Sequence, residues 1–261
     1  MTTNTSESQL SSFLKAPLVK IVVLGILVMV LMLPVVLIDG VISERRSSRD
    51  EVVREVTSSW GYSQRLVGPW IVVPYDYRWR ETDKDGKEIT RKETRYGWFL
   101  PENLEVSGTQ TSEIRYRGIY KVPLYRVELK FNGRFPKPDL SSWVADPADV
   151  QWGNCHLVMR VSDVRALVSR AFLQWNQSNL EFQPGTRESV SNFPGIHVPL
   201  TKEAFGESNE FSFSLAILGS DGLYFAPFGR DTKVVLKGNW PDPSFQGQWL
   251  PADRKITKEG Y

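Results

Sequence analysis

Side chains capable of covalent chemistry are few in this sequence and lie far apart. There is one cysteine, Cys155, and there are two histidines, His156 and His197. Cys155 and His156 would have to share a pocket to act as nucleophile and base, yet neighbours on a strand point to opposite faces. The run they open, Cys155 to Val161, is compact and apolar and reads as a buried strand. His197 stands between Ile196 and Val198 and could join Ser244 and Asp242 in a hydrolytic triad, but nothing in their separation supports that combination.

Two separated histidines and a single thiol supply no zinc ligand set, and one cysteine closes no disulfide within the chain. Asp83-Lys84-Asp85-Gly86 superficially matches a calcium loop, but its glycine comes too early and no glutamate closes it, so it reads as a turn. No glycine-rich phosphate loop follows a strand. These readings predict a non-enzymatic protein with no catalytic residue, no metal and no cofactor.

Aromatic side chains are the remaining candidates. Trp240, Phe245 and Trp249 fall within one proline-stiffened stretch, Trp240-Pro241-Asp242-Pro243-Ser244-Phe245-Gln246-Gly247-Gln248-Trp249. Flat rings on a restricted backbone suit contact with a glycan or a peptide. The same pattern also serves a rigid loop that folds its rings over the end of a sheet.

The elements that must position these residues begin with Leu18 to Ile38, LVKIVVLGILVMVLMLPVVLI, in which no charged or strongly polar side chain occurs from Ile21 onward. At about 1.5 Å per residue such a run crosses the roughly 30 Å hydrocarbon layer of a bilayer. It is longer than the core of a cleaved signal and lacks the polar stripe of a surface helix. Val41, Ile42, Arg45, Arg49, Val52, Val53 and Val56 then recur at helical spacing, which predicts an amphipathic connector helix reaching Ser59-Trp60-Gly61.

Beyond Leu66 the pattern turns to short β segments separated by turn residues, and nine tryptophans, nine tyrosines and thirteen phenylalanines fit that reading. Predicted strands include a hairpin of Trp70–Trp79 with Lys87–Leu100, in which Pro74 demands an edge or a bulge. Ile114–Phe135 reads as one unit whose apolar parity switches just after Pro123, which fits a bulge or a bend between two sheets. Phe172–Trp175 with Leu180–Phe182 forms a second hairpin, and further strands cover Gly195–Leu200, Glu210–Leu218, Leu223–Phe228 and Thr232–Lys237. The class is mainly β: an N-terminal transmembrane helix followed by an antiparallel β-sandwich-like domain. With 32 lysines and arginines against 30 acidic residues, the balance argues against nucleic acid as a partner. Lys15 and Lys20 precede the span while Arg45, Arg46, Arg49 and Arg54 follow it, which taken literally puts the large domain in the cytoplasm.

Several segments together resemble the inner-membrane CreD family, named for cell-envelope integrity. They are Trp60-Gly61, Leu66-Val67-Gly68-Pro69, Arg117-Gly118-Ile119-Tyr120-Lys121-Val122-Pro123, Ser162-Asp163-Val164-Arg165, and Leu236 to Pro251, LKGNWPDPSFQGQWLP. The last is the most specific. It departs from the family pattern at Asp242, where a histidine would be expected, so no role of such a histidine carries over. The resemblance implies that the family continues past Tyr261 with more of the β domain and further membrane helices, so that this chain would be a fragment or a truncated gene product.

It further implies a periplasmic β domain in the bacterial inner membrane, against the arginine count, and a role in envelope integrity or in the response to envelope stress such as β-lactam exposure. Other envelope proteins or cell-wall glycan would be partners besides the lipid bilayer. The resulting layout is a cytoplasmic tail at 1–17, a transmembrane helix at 18–38, an amphipathic connector at 39–60 and a β-rich periplasmic domain at 61–261. An envelope hydrolase or transferase, and a cytoplasm-facing membrane regulator, are the alternatives.

Overall fold

The computed structural model describes residues 17–187, 193–226 and 228–261; the tail expected over residues 1–12 lies outside them. The chain divides into a unit ending at Arg54 and a unit from Glu55 to Tyr261. The first is helical. Helix α1 runs from Pro17 to Trp60 with Pro34 inside it, and its last turn belongs to the second unit. No residue of the apolar stretch from Ile21 to Ile38 is buried within the protein. An apolar surface of that length is stable only against lipid or another apolar partner.

Among the described residues the second unit holds twelve strands in two six-stranded sheets. The first sheet is ordered β11-β1-β5-β9-β8, with β2 also paired to β1. Its strands are β1 (Gln64–Thr82), β2 (Glu88–Phe99), β5 (His156–Val161), β8 (Gln183–Pro184), β9 (Gly195–Pro199) and β11 (Leu223–Ala226). The second, ordered β12-β3-β4-β10-β6-β7, contains β3 (Asn103–Arg117), β4 (Tyr120–Pro136), β6 (Phe172–Trp175), β7 (Ser178–Glu181), β10 (Ser208–Ser220) and β12 (Asp231–Gly238). One apolar core joins them: Ile71, Leu157, Met159 and Val198 come from the first sheet, and Val127, Phe131, Trp175 and Phe213 from the second.

Mainly β architecture is as expected, but the pairing is mixed rather than wholly antiparallel. β11 lies parallel to β1, and β12 lies parallel to β3. The turn at Asp221-Gly222 explains the first pair: it carries the chain from β10 in one sheet to β11 in the other, so the two never form a hairpin.

Two local expectations are corrected. Ile114–Phe135 is not one bent strand; Gly118, at φ +58°, turns β3 into β4 as a hairpin. No bulge underlies the parity switch, because β4 keeps an unbroken register with both β3 and β10. Leu124 and Tyr125 are simply both buried, one on each face. On the Leu124 side the final turn of α1 supplies cover: Trp60 Nε1 donates to the Tyr125 carbonyl, Arg115 stacks over the Trp60 ring, and Arg117 pairs with Glu55. The bulge lies instead in β1, between Val67 and Trp70, where Gly68-Pro69 is cis; the strand therefore begins before that dipeptide rather than after it. Pro74 sits just past the last β1–β5 pair, Val72 with His156, where a loop takes over from the strand: the Pro74 carbonyl accepts from Gln151 N at 2.9 Å and Tyr75 bridges Val150.

Candidate functional site

Strand β5 is buried on both faces, and alternation sorts its chemistry-bearing residues. Cys155, Leu157, Met159 and Val161 join the main core, while His156, Val158 and Arg160 occupy the opposite face. The expected separation of Cys155 from His156 is observed. Burial pushes the Cys155 thiol up to about 12, which leaves it neutral and unreactive at physiological pH.

The register of β5 with β9 brings the two histidines together, since Val158 pairs with His197 and His156 with Pro199. Their rings lie edge to face with centroids 6.0 Å apart. Each is fixed through Nδ1: His156 donates to the Asn154 carbonyl at 2.8 Å and His197 to the Gly185 carbonyl at 2.7 Å. That assignment makes both rings the Nδ1–H tautomer. The two residues are 3% and 5% exposed, and burial lowers both pKa values, more than the hydrogen bonds to backbone oppose it.

Around them the same face carries Trp70 against Phe228, and Arg160 lies over both the Trp70 and Phe193 rings. No acidic group lies among these residues, and no cluster of three histidine, cysteine, aspartate or glutamate side chains occurs among the described residues. The cluster is therefore a packed layer of neutral imidazoles and aromatic rings with guanidinium between them.

A pH dependence follows from that burial. Both histidines bind protons more readily unfolded, near their ordinary value of 6.5, than folded. The unfolded state then holds more protons below that pH, so stability is full above 6.5 and declines as pH falls beneath it. The urea midpoint is expected to drop between pH 7.5 and 5.5, a window above ordinary carboxylate titration. In a His156→Asn, His197→Asn double variant that drop should be at least halved; an unchanged drop would remove the histidines as its cause.

The postulated partners of His197 are elsewhere. Ser244 and Asp242 belong to the loop after β12, at the edge of the other sheet, where Gln246 Nε2 donates to the Ser244 hydroxyl at 3.2 Å. No hydrogen bond among the described residues joins His197 to either. The Asp83–Gly86 segment closes the β1–β2 hairpin as a turn, with Gly86 at φ +77° donating to the Asp83 carbonyl at 2.9 Å.

The three loop aromatics face different surroundings. The Trp240 indole N–H bonds to the Asp242 carbonyl at 3.1 Å, so its polar edge turns into its own loop. Phe245 packs edge-on against Tyr261 at 6.1 Å. Trp249 is 70% exposed, beside Leu250 at 57%. Asn239 splices this loop to β3, because its side-chain amide accepts from Ser112 N at 2.6 Å and donates to Ser112 O at 3.1 Å.

Sequence reasoning missed a polar cluster at the root of the long β1–β2 hairpin. Asp76 accepts from Lys92 Nζ at 2.7 Å, Gln151 Nε2 at 2.8 Å and Thr94 Oγ1 at 3.1 Å, and the Lys92 hydrogen bond leads in lowering its pKa. Nearby, Arg78 Nε donates to both oxygens of the buried Asp149 carboxylate. The alternation of Asp76 and Arg78 along one strand was visible, but Gln151 and Asp149 lie outside the hairpin, in segments that only the fold brings near.

A family model described as inner membrane protein CreD matches residues 16–261. Inner membrane protein CreD of Escherichia coli (strain K12) is 32% identical over 235 residues, covering 90% of this chain and 51% of that protein. The chain thus spans about half the length of the curated relative it matches. No solved structure matches it.

Proposed function

Because the chain belongs to the CreD family of inner membrane proteins, we propose that it is an anchored, non-enzymatic interaction module of the cell envelope, with its β-rich unit in the periplasm. Its role is then in envelope integrity or in the response to envelope stress such as β-lactam exposure. The observation that carries the non-enzymatic reading is the fate of the reactive groups: Cys155 is neutral in the core, and each histidine ring is fixed to a backbone carbonyl under cover. General base and nucleophile must meet in a site open to substrate. Contact with partners then falls to exposed rings, with Trp249 foremost and Trp240 and Phe245 behind it.

Orientation is tested by alkaline phosphatase fused after Tyr261, which is active only outside the cytoplasm. High activity is expected, and low activity with a fluorescent partner glowing at the same junction would favour the cytoplasm-facing regulator. Function is tested by β-lactam sensitivity in a strain lacking its own copy. Restoration by the wild-type chain should persist in His156→Asn and His197→Asn and weaken severalfold in Trp249→Ala. Loss of restoration in the histidine variants, with folding intact, would revive the envelope hydrolase or transferase.

A further inference from the structure

The outer face of the second sheet is hollowed over its two central strands, β4 and β10. A cleft of about 390 Å³ lies there, within the size of small-ligand sites, about 300–1,000 Å³. Its floor is the backbone of Gly133 on β4 and Phe211 on β10, which pair with each other. The two residues in its middle are short: Asn132 stands opposite Ser212, and both are half-buried. Those around them are longer, Arg134 and Glu210 at one end and Gln174 across from Ser212 on β6. Short side chains between long ones make the hollow.

The chemistry of the cleft is polar, uncommitted and without net charge. Among the described residues no hydrogen bond occupies the side chains of Asn132, Ser212 or Glu210, and Gln174 commits only its Nε2, to the Asn176 carbonyl at 3.2 Å. Arg134 is braced from the side by Glu102, Nε to Oε2 at 3.0 Å. Arg134 and Glu210 are the charged side chains that line the cleft, so its formal charge is zero. Carboxamide, carboxylate and guanidinium groups each present two polar atoms side by side, which match neighbouring hydroxyls on one ring. Strands about 4.8 Å apart repeat that offer at a spacing comparable to the width of a pyranose. Phe172 adds a flat surface: two residues before Gln174, it shares the outer face of β6 by alternation and is 47% exposed.

We propose that this cleft binds a neutral oligosaccharide, with Asn132, Ser212, Gln174 and Glu210 bonding its hydroxyls and Phe172 stacking on a neighbouring sugar ring. An extended peptide fits less well. β4 and β10 each have a strand on both sides, so no peptide adds to them as a further strand, and the lining offers no apolar recess for a side chain. An anionic ligand would meet the Glu210 carboxylate, and a cationic one the Arg134 guanidinium. The cleft is a second contact surface, built from β4, β6 and β10 rather than from the loop that carries Trp249.

The test titrates the full chain, held in bilayer nanodiscs free of glycosidic detergent, with tetra-N-acetylchitotetraose and with cellotetraose by isothermal titration calorimetry. Binding of at least one is expected, in the millimolar range or tighter. Asn132→Ala combined with Gln174→Ala should weaken it at least about tenfold, the effect of losing two hydrogen bonds. Ser212→Tyr should abolish it by filling the hollow, and tyrosine suits an exposed strand position, so the fold is expected to survive. Phe172→Ala should weaken it severalfold. Trp249→Ala should leave it unchanged, which separates this site from the loop. No heat from either saccharide, undiminished binding in both the filled and the double-alanine variants, or loss of binding in Trp249→Ala alone would overturn the proposal. So would a tetra-alanine peptide that binds where neither saccharide does and is lost in Ser212→Tyr, since the cleft would then be a peptide groove.

Discussion

Trp175→Ala should remove most of the stability of the β unit. The ring is 1% exposed, lies 5.9 Å from Phe135 and 5.7 Å from Phe205, and donates Nε1–H to the Ala204 carbonyl at 2.9 Å. Truncating a fully buried tryptophan costs about 3–5 kcal/mol, against a typical total of about 5–15 kcal/mol for a domain. The loss combines a cavity between the β6 and β4 side chains with a carbonyl left to a longer bond, from Asn176 Nδ2 at 3.4 Å. Trp175→Phe separates the two contributions, since it keeps most of the ring volume and forfeits the hydrogen bond, at about 1–3 kcal/mol. Urea unfolding followed by far-ultraviolet circular dichroism should therefore rank wild type above the phenylalanine variant and that above the alanine variant. An alanine variant within about 1 kcal/mol of wild type would mean that this end of the core collapses freely into the space.

The second large effect concerns the anchor. Met29 and Leu33 lie one turn apart on one face of α1, in the middle of the apolar stretch. Replacing both with arginine adds about 2.5–3.5 kcal/mol per residue at the centre of a span, while each Leu, Ile, Val or Phe there contributes only about 0.3–0.6 kcal/mol in the other direction. Two arginines thus cancel most of what the run supplies, whereas one does not. Carbonate extraction should leave the wild type and either single variant in the membrane pellet and release a large part of the double variant. Full retention of the double variant would show that the helix is held by another membrane protein rather than by lipid alone.

What could be read from the sequence follows from the range of the interactions involved. The β1–β2 and β6–β7 hairpins were legible because Gly86 and the Asn176-Gln177 turn are local signals. The buried β5 strand was legible because both of its faces are covered, so that its residues form an apolar run rather than an alternation. The first part of β3 was missed for the opposite reason: only Leu104 and Val106 are buried there, and Gly108, Thr109 and Gln110 read as loop residues. The separation of Cys155 from His156 needed only strand alternation. The meeting of His156 with His197 needed the β5–β9 register, and the meeting of Asp149 with Arg78 needed a loop to close, neither of which any local pattern encodes.

The two parallel pairs reach across nearly the whole unit, β11 to β1 and β12 to β3. A chain emerging from its N-terminus presents the partner edges of Gln64–Val67 and Asn103–Gln110 long before Leu223 or Asp231 exists. At about 5–20 residues per second those edges wait on the order of ten seconds or more. Such non-local pairing also folds slowly once the chain is complete, because loop closure precedes its reward. During biogenesis, then, this unit is a client for whatever shields bare strand edges, and its yield should depend on that protection more than on its final stability.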